Sequence, residues 1–63
     1  MPNLMRQMGQ PVEIRTRDGR VHRGIMAGVD PRRGVFIRDG FGRRRFFAFI
    51  FIVAFFSRRR RIF

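Results

Sequence analysis

Residues 9–40 read GQPVEIRTRDGRVHRGIMAGVDPRRGVFIRDG, and they decide the fold because turn sequences join three short segments of strand-like pattern there. From Pro11 onward apolar and polar side chains alternate, which is typical of a strand with one buried and one solvent-exposed face. Asp18-Gly19 then predicts a tight hairpin turn with positive φ at both central positions. We therefore expect strands 1 to 3 within residues 11–42.

The glycines and aspartates of this stretch have predicted structural roles. Gly24 and Gly28 interrupt the second strand, where glycine commonly marks a bend or a close backbone approach, and small closed barrels need such corners. Asp30 precedes Pro31, and its carboxylate can accept a hydrogen bond from the backbone two residues on. The predicted structural turn residues are Asp18, Gly19, Gly24, Gly28 and Asp30.

A short helix is expected ahead of the strands. Leu4, Met5 and Met8 fall at helical spacing after Asn3, a suitable N-cap, and Gly9 supplies a stop. The sequence thus predicts a helix over residues 3–8 that docks on the strands through its apolar side chains.

A tract of eleven apolar residues, FFAFIFIVAFF at 46–56, follows the strands. A strand buried on both faces gives such an unbroken run, so residues 43–57 are predicted to be strand-like and to need a partner surface that covers the tract. Uncovered, the tract would aggregate. The predicted oligomer interface is Phe46, Phe47, Phe49, Ile50, Phe51, Ile52, Val53, Phe55 and Phe56.

Composition limits the possible functions of this 63-residue chain, which we interpret as a single domain, 1–63. It has no cysteine, one histidine and four carboxylates, so disulfides and thiolate metal sites are excluded, and we expect no enzyme, no metal site and no cofactor. His22 is expected to be a surface or cross-strand residue. Phe41, between two glycines, is expected to plug one end of the barrel rather than to stack on a ligand.

All fifteen basic residues are arginine, and the net charge is +11. Guanidinium groups bind phosphate and carboxylate in bidentate fashion and stack on flat rings, which favours a polyanionic partner such as RNA. The runs of adjacent arginines are equally explained as solvated surface that keeps an oligomer soluble. Residues 58–63 are predicted to be a basic tail. The predicted polyanion-binding residues are Arg32, Arg33, Arg43, Arg44, Arg45, Arg58, Arg59, Arg60 and Arg61.

Residues 9–40 resemble the Sm and Sm-like family in Gly9, in Asp18-Gly19-Arg20 and in the later spacing of Gly24, Gly28 and Asp30, with Val35-Phe36-Ile37 where a third strand begins. The resemblance implies a mainly all-β fold, a small, strongly bent five-stranded barrel of the Src-homology-3-like type preceded by a short helix. It also implies rings of six or seven subunits in which strand four of one copy pairs with strand five of the next. In such rings residues 44–51 and 52–57 would be strands four and five, within 43–57, covered inside by the barrel and outside by the next subunit.

The uridine pocket implied by the resemblance is not expected in this chain. The aromatic or aliphatic residue and the asparagine of that pocket are replaced by Arg33 and Gly34, and no Arg-Gly pair follows Gly40. Any RNA contact is therefore expected to go through arginine and phosphate, without base specificity.

The sequence favours a self-assembling, non-enzymatic structural protein that forms rings, tubes or fibres through its Phe-rich edge. Two alternatives stay open. One is an Sm-like RNA- or polyanion-binding protein, and the other is a small basic protein at a membrane surface. Integral membrane insertion is not expected, because eleven helical residues span only about 16 Å, whereas the hydrocarbon core of a bilayer is about 30 Å thick. No secretory signal is visible, so we expect cytoplasmic synthesis. The tail resembles that of short proteins of spore-forming bacteria, which suggests deposition in a spore layer.

Overall fold

A computed structural model describes residues 4–63, which form six antiparallel strands and two single-turn 3-10 helices. The strands follow one another around a bent, open sheet in the order β4-β3-β2-β1-β5-β6. The prediction of a mainly β chain is confirmed. The strands are β1 (Pro11–Thr16), β2 (Val21–Asp30), β3 (Gly34–Arg38), β4 (Arg44–Ala48), β5 (Ile52–Ser57) and β6 (Arg60–Arg61).

The opening segment is shorter than predicted. Leu4–Gln7 is a single 3-10 turn instead of an α-helix, and residue 3 of the predicted helix lies outside the described residues. Leu4 is buried, whereas Met5 and Met8 are exposed, so only one of these side chains docks on the core. Six residues are too few to form an α-helix without extensive packing, which explains the single turn.

The first hairpin turn contains three residues, 17–19, instead of the predicted two. The Gly19 amide donates to the Thr16 carbonyl (3.0 Å), the Thr16 amide donates to the Arg20 carbonyl (3.0 Å), and φ is positive at Gly19 (+83°) but not at Asp18. This is a turn followed by a left-handed glycine, the common three-residue hairpin. The Asp18 carboxylate accepts the Arg20 amide at 3.1 Å and so closes the loop from its other side.

The long strand β2 bends, because its two halves pair with different neighbours. Its first half pairs with β1 and its second half with β3, and Ile25 stands opposite both Pro11 and Arg38. A Cβ on Gly24 would meet the Arg38 carbonyl oxygen, and the ladder to β3 is irregular between Met26 and Gly28. Gly24 thus lies against the backbone of β3, and the ladder irregularity lies next to Gly28.

The core lies inside the bend, where the sheet curls so that β5 returns to β1. Ile14 and Phe55 face each other across this return, and both are fully buried. Burying a side chain of this size contributes about 1.5–3 kcal/mol. The remaining buried apolar side chains are Leu4, Val12, Met26, Val35, Ile37, Phe47, Ile52 and Ala54.

The Phe-rich tract is two strands separated by a turn, so the prediction that residues 44–51 are all strand is wrong at its end. Phe49–Phe51 is a 3-10 turn. Its ends are held by neighbouring loops, because the Phe49 amide donates to the Arg33 carbonyl and the Arg17 amide donates to the Phe51 carbonyl, both at 2.9 Å. These bonds satisfy backbone groups that a turn leaves without ladder partners.

Candidate assembly edges and arginine groove

One outer edge of the sheet is the free side of β4. This strand pairs with β3 on one side and with no other strand among residues 4–63. Its second row of amide and carbonyl groups can therefore accept a further strand, which is how sheets extend between molecules. Arg44 and Arg45, at the start of β4, are exposed, and the Arg44 guanidinium lies 5.0 Å from the Phe36 ring centre.

The nine residues predicted as an interface do not share one environment. Phe47, Ile52 and Phe55 belong to the core of the chain itself, so their side chains are covered without a partner. Phe49 and Phe56 are half-buried. The members that remain exposed, with 44–72% of their surface free, are Phe46, Ile50, Phe51 and Val53.

The opposite edge, along β5, is partly covered by the C-terminal segment, which we call the tail hairpin (residues 58–63). Its strand β6 pairs with Phe56 and Ser57, and the Phe55 amide donates to the Phe63 carbonyl at 2.9 Å. The Phe63 ring stacks on the Phe55 ring with centres 5.3 Å apart. The segment predicted as a basic tail is therefore also an edge cover.

The turn of the tail hairpin consists of two arginines in left-handed conformation. Arg58 has φ +52° and Arg59 has φ +64°, and they are the only non-glycine residues with positive φ in the described part of the chain. Two consecutive residues of this kind match the two-residue turn that Asn-Gly favours. The Arg58 side chain donates to Gln10 at 3.0 Å, and Ser57 donates to Gln7, so the N-terminal segment holds the turn.

A groove of about 780 Å³ lies on the outer face of the sheet. The strand register explains its composition, because Arg38, Ile25 and Pro11 form one row across β3, β2 and β1, and Arg23, Glu13 and Phe56 form the next. We call it the arginine groove, after the five arginines that line it: Arg15, Arg23, Arg38, Arg58 and Arg59.

Glu13 is the carboxylate at the centre of this groove. It accepts a bond from Arg23 Nε at 2.9 Å, and Arg15 Nε lies 3.5 Å away. The Arg23 hydrogen bond, together with the two positive charges, lowers the pKa of Glu13 below its ordinary value of 4.5. The Arg15 guanidinium also lies 5.0 Å from the Phe56 ring centre. Both arginines thus pair with one carboxylate, and Arg15 also lies over the Phe56 ring.

Asp39 lines the same groove, but its carboxylate stabilises the β3–β4 turn. Its carboxylate accepts the amides of Arg43 and Phe41, each at 2.9 Å, and these bonds, that from Arg43 first, hold the pKa of Asp39 below 3.8. Phe41, at the tip of this turn, is 92% exposed, so the expectation that it plugs the barrel is wrong. The hydrogen-bonded turn points the ring away from the core.

The predicted polyanion-binding arginines are spread over several elements. Arg32 and Arg33 lie in the β2–β3 loop, Arg43 precedes β4, and Arg44 and Arg45 begin it. Arg60 and Arg61 form β6, and of the predicted set only Arg58 and Arg59 line the groove. Arg15, Arg23 and Arg38 were missed because the prediction relied on runs of adjacent arginines. Their outward positions in the alternating strands were the signal that identifies them.

Other kinds of site find no support in residues 4–63. Within this range no cluster of three or more histidine, cysteine, aspartate or glutamate residues is placed to hold a metal ion. No helix there is long and apolar enough to cross a membrane. His22 lies beside the Phe47 ring, with centres 4.8 Å apart. Comparison of the chain with protein-family models, with curated proteins and with solved structures gives no match.

Proposed function

We propose that this chain is a non-enzymatic structural module that assembles with copies of itself through its Phe-rich strands β4 and β5, into rings, tubes or fibres. One observation carries the proposal: four large apolar side chains between residues 46 and 53 stay exposed after the chain has folded, one on β4, whose outer edge is unpaired, two on the following turn and one on β5. Such a combination of apolar surface and open edge marks an interaction site.

The proposal includes an Sm-like barrel for the bent sheet. Three features support it: the strand order β4-β3-β2-β1-β5, the return of β5 to β1, and the resemblance of residues 9–40. In this architecture β4 of one copy meets β5 of the next in a head-to-tail contact, which closes into a ring or continues into a fibre according to the rotation between copies.

The energetic balance favours assembly at moderate salt. Covering each exposed aromatic or aliphatic side chain contributes up to about 1.5–3 kcal/mol, so four of them offset considerable charge repulsion. The net charge of +11 opposes association, and salt screens it with a Debye length of about 10 Å at 0.1 M. Assembly should therefore strengthen as salt rises from low concentration.

The tail hairpin limits which part of β5 is available. On its outer side β5 is paired with the tail from Phe55 to Ser57, which leaves only residues 52–54 open. A full β4–β5 contact between copies therefore requires the tail hairpin to leave β5. The closed form is the unassembled state, and the open form is the one that joins copies.

The test uses substitutions on the exposed surface alone. Phe51→Ser with Val53→Ser removes two exposed apolar side chains and should change the stability of the single chain by no more than about 0.5 kcal/mol each. We expect the mean mass from light scattering, measured at 50 and 300 mM salt, to fall toward that of one chain. Phe41→Ser is the control, because Phe41 lies outside the tract and is even more exposed, at 92% of its surface; this variant should assemble like the native chain.

Two outcomes contradict the proposal: a native chain that stays single at both salts, or a double variant that assembles as well as the native chain. Deletion of residues 46–63 would not test it, because that segment holds β5 and the core side chains Phe47 and Phe55. The deleted chain would lose its core along with its edge.

A further inference from the structure

We propose that the tail hairpins of two copies exchange, so that each chain runs straight from β5 into β6 and its β6 pairs with the β5 of the other copy. In the single chain β6 pairs with Phe56 and Ser57 of its own β5. The exchanged pair is separate from the β4–β5 contact of the proposed function and does not depend on it. Both arrangements begin with a tail hairpin that leaves its own β5.

The strained turn of the tail hairpin favours the exchange. Arg58 and Arg59, at φ +52° and +64°, occupy a region that disfavours a side chain by about tenfold per residue. Both residues leave this region when the turn straightens into a strand. Straightening also breaks the exposed hydrogen bond from Arg58 to Gln10, which costs about two- to fivefold. The straight form therefore gains at least about tenfold in each chain, provided that the other contacts of the tail are remade.

The contacts that hold the tail can be remade in the exchanged pair. The Phe63 ring stacks on the Phe55 ring, and the Phe63 carbonyl accepts the Phe55 amide. Ile62 and Phe63 also pack against the core. A tail that crosses to a second copy meets the same groups there, because the two chains are identical. Exchange of an identical element is a low-cost route to a dimer, and short hinge loops under strain promote it.

The register of the tail hairpin determines how the two copies join. Ser57 faces Arg60, so only Arg58 and Arg59 form the turn. Once the turn is straight, Arg58 of one copy lies opposite Arg59 of the other, and a two-fold axis passes between these two residues. Each copy contributes the same strand, which is the self-complementary contact of a closed dimer. The two sheets become continuous through β5, and no further copy can add at that edge.

The positive charge of the tail opposes this pairing. Successive side chains of a strand point to opposite faces, so Arg58 and Arg60 of one copy share a face with Arg59 and Arg61 of the other. Four guanidinium groups thus meet on each face of the junction. Oxyanions such as sulfate and phosphate accept charge-assisted hydrogen bonds from guanidinium groups and offset their repulsion. Sulfate should therefore promote the exchanged pair more than chloride does at equal ionic strength.

Disulfide cross-linking tests the register, because the chain has no cysteine of its own. A full chain with Phe56→Cys is mixed with one carrying Arg61→Cys, both in the Phe51→Ser, Val53→Ser background that removes the proposed β4–β5 contact. In a glutathione redox buffer the mixed disulfide should be at least about tenfold more abundant than with Arg32→Cys in place of Arg61→Cys, because the register brings the first two sulfurs together. Arg32→Cys removes the same charge from a loop that does not pair with β5. Equal yields would overturn the exchange, whether or not the native chain assembles through β4 and β5.

A second measurement separates strain from charge without cysteines. Sedimentation equilibrium in the same background gives the association constant of the pair. Arg58→Asn with Arg59→Gly removes the strain and should lower this constant about a hundredfold, tenfold for each chain. Arg58→Gln with Arg59→Gln keeps the strain and removes the same charge, so it should associate at least as tightly as the native tail in chloride and gain less from sulfate. Equal constants for the two double variants, or an undiminished gain from sulfate without these arginines, would overturn the inference.

Discussion

Replacing the two left-handed arginines of the tail turn should hold the tail hairpin closed. A non-glycine residue in this conformation costs about 1–2 kcal/mol, whereas Asn-Gly is the preferred sequence for the turn. Arg58→Asn with Arg59→Gly therefore relieves about 3 kcal/mol of backbone strain. The greater backbone entropy of glycine in the open chain offsets about 0.5–1 kcal/mol of this, and loss of the exposed Arg58–Gln10 hydrogen bond offsets about 0.5–1 kcal/mol more. The net gain, about 1.4 kcal/mol, corresponds to a tenfold lower open population.

Amide hydrogen exchange followed by NMR measures this population at the bonds that close the hairpin. The Phe55 and Ile62 amides, which donate to the Phe63 and Phe55 carbonyls, should exchange about tenfold more slowly in the double variant. The concentration at which copies assemble should rise in parallel, because assembly is proposed to need the open form.

The control, Arg58→Gln with Arg59→Gln, removes the same two charges and keeps side chains that disfavour the left-handed region. It should show a much smaller slowing of exchange than Asn-Gly. If the two double variants exchange alike, charge repulsion rather than backbone strain governs the hairpin, and the reasoning from φ is wrong. If Asn-Gly exchanges faster than the native chain, the turn is not the element that limits closure.

Two further predictions concern the stability of the single chain. Gly34→Ala should lower the free energy of unfolding by about 2 kcal/mol or more, because its Cβ would press on the Phe47 carbonyl oxygen, while Gly40→Ala has open space and should be neutral in the same urea titration. Asp39 has a lower pKa in the folded chain than unfolded, so it stabilises the fold above its ordinary pKa of 3.8, and this contribution should be lost as pH falls through that value toward the folded one. Asp39→Asn keeps an acceptor oxygen, and its melting temperature should fall less steeply than that of the native chain as the pH is lowered. An unchanged dependence of melting temperature on pH would contradict the assignment.

The turns were readable from sequence because their chemistry is local. The Asp18-Gly19 pair between two alternating segments located the turn of the first hairpin. In the next turn the Asp30 carboxylate accepts the Arg32 amide at 3.1 Å, as its position predicted. The error at Asp18 concerns loop length, since a two-residue and a three-residue turn share the same Asp-Gly signal.

The Phe-rich tract was harder to predict because its pattern does not alternate. When every residue is apolar, the sequence cannot tell Phe47, which faces the core, from Phe46, which faces out. The turn at Phe49–Phe51 contains none of the residues that usually mark a chain reversal. It is held instead by the Arg33 carbonyl and the Arg17 amide, which belong to loops far away in the sequence. Such tertiary contacts have no local signature.

The tail hairpin and the groove were missed for a related reason. Four consecutive arginines suggest a solvated segment, and no glycine or asparagine marks the turn at Arg58 and Arg59. The groove joins residues from four strands, so it exists only once the register is known. The sequence alone shows the excess of arginine, but it does not show which five arginines line the groove.

The return of β5 to β1 has a consequence for how the chain is made. Val12 pairs with Ser57, about 45 residues later, whereas the strands from β1 to β4 each pair with the next one along the chain. Contacts between near neighbours form early, and those that close a long loop form late. During synthesis one side of β1 therefore stays unpaired until β5 has emerged from the ribosome, and chaperones that shield apolar segments would bind in that interval.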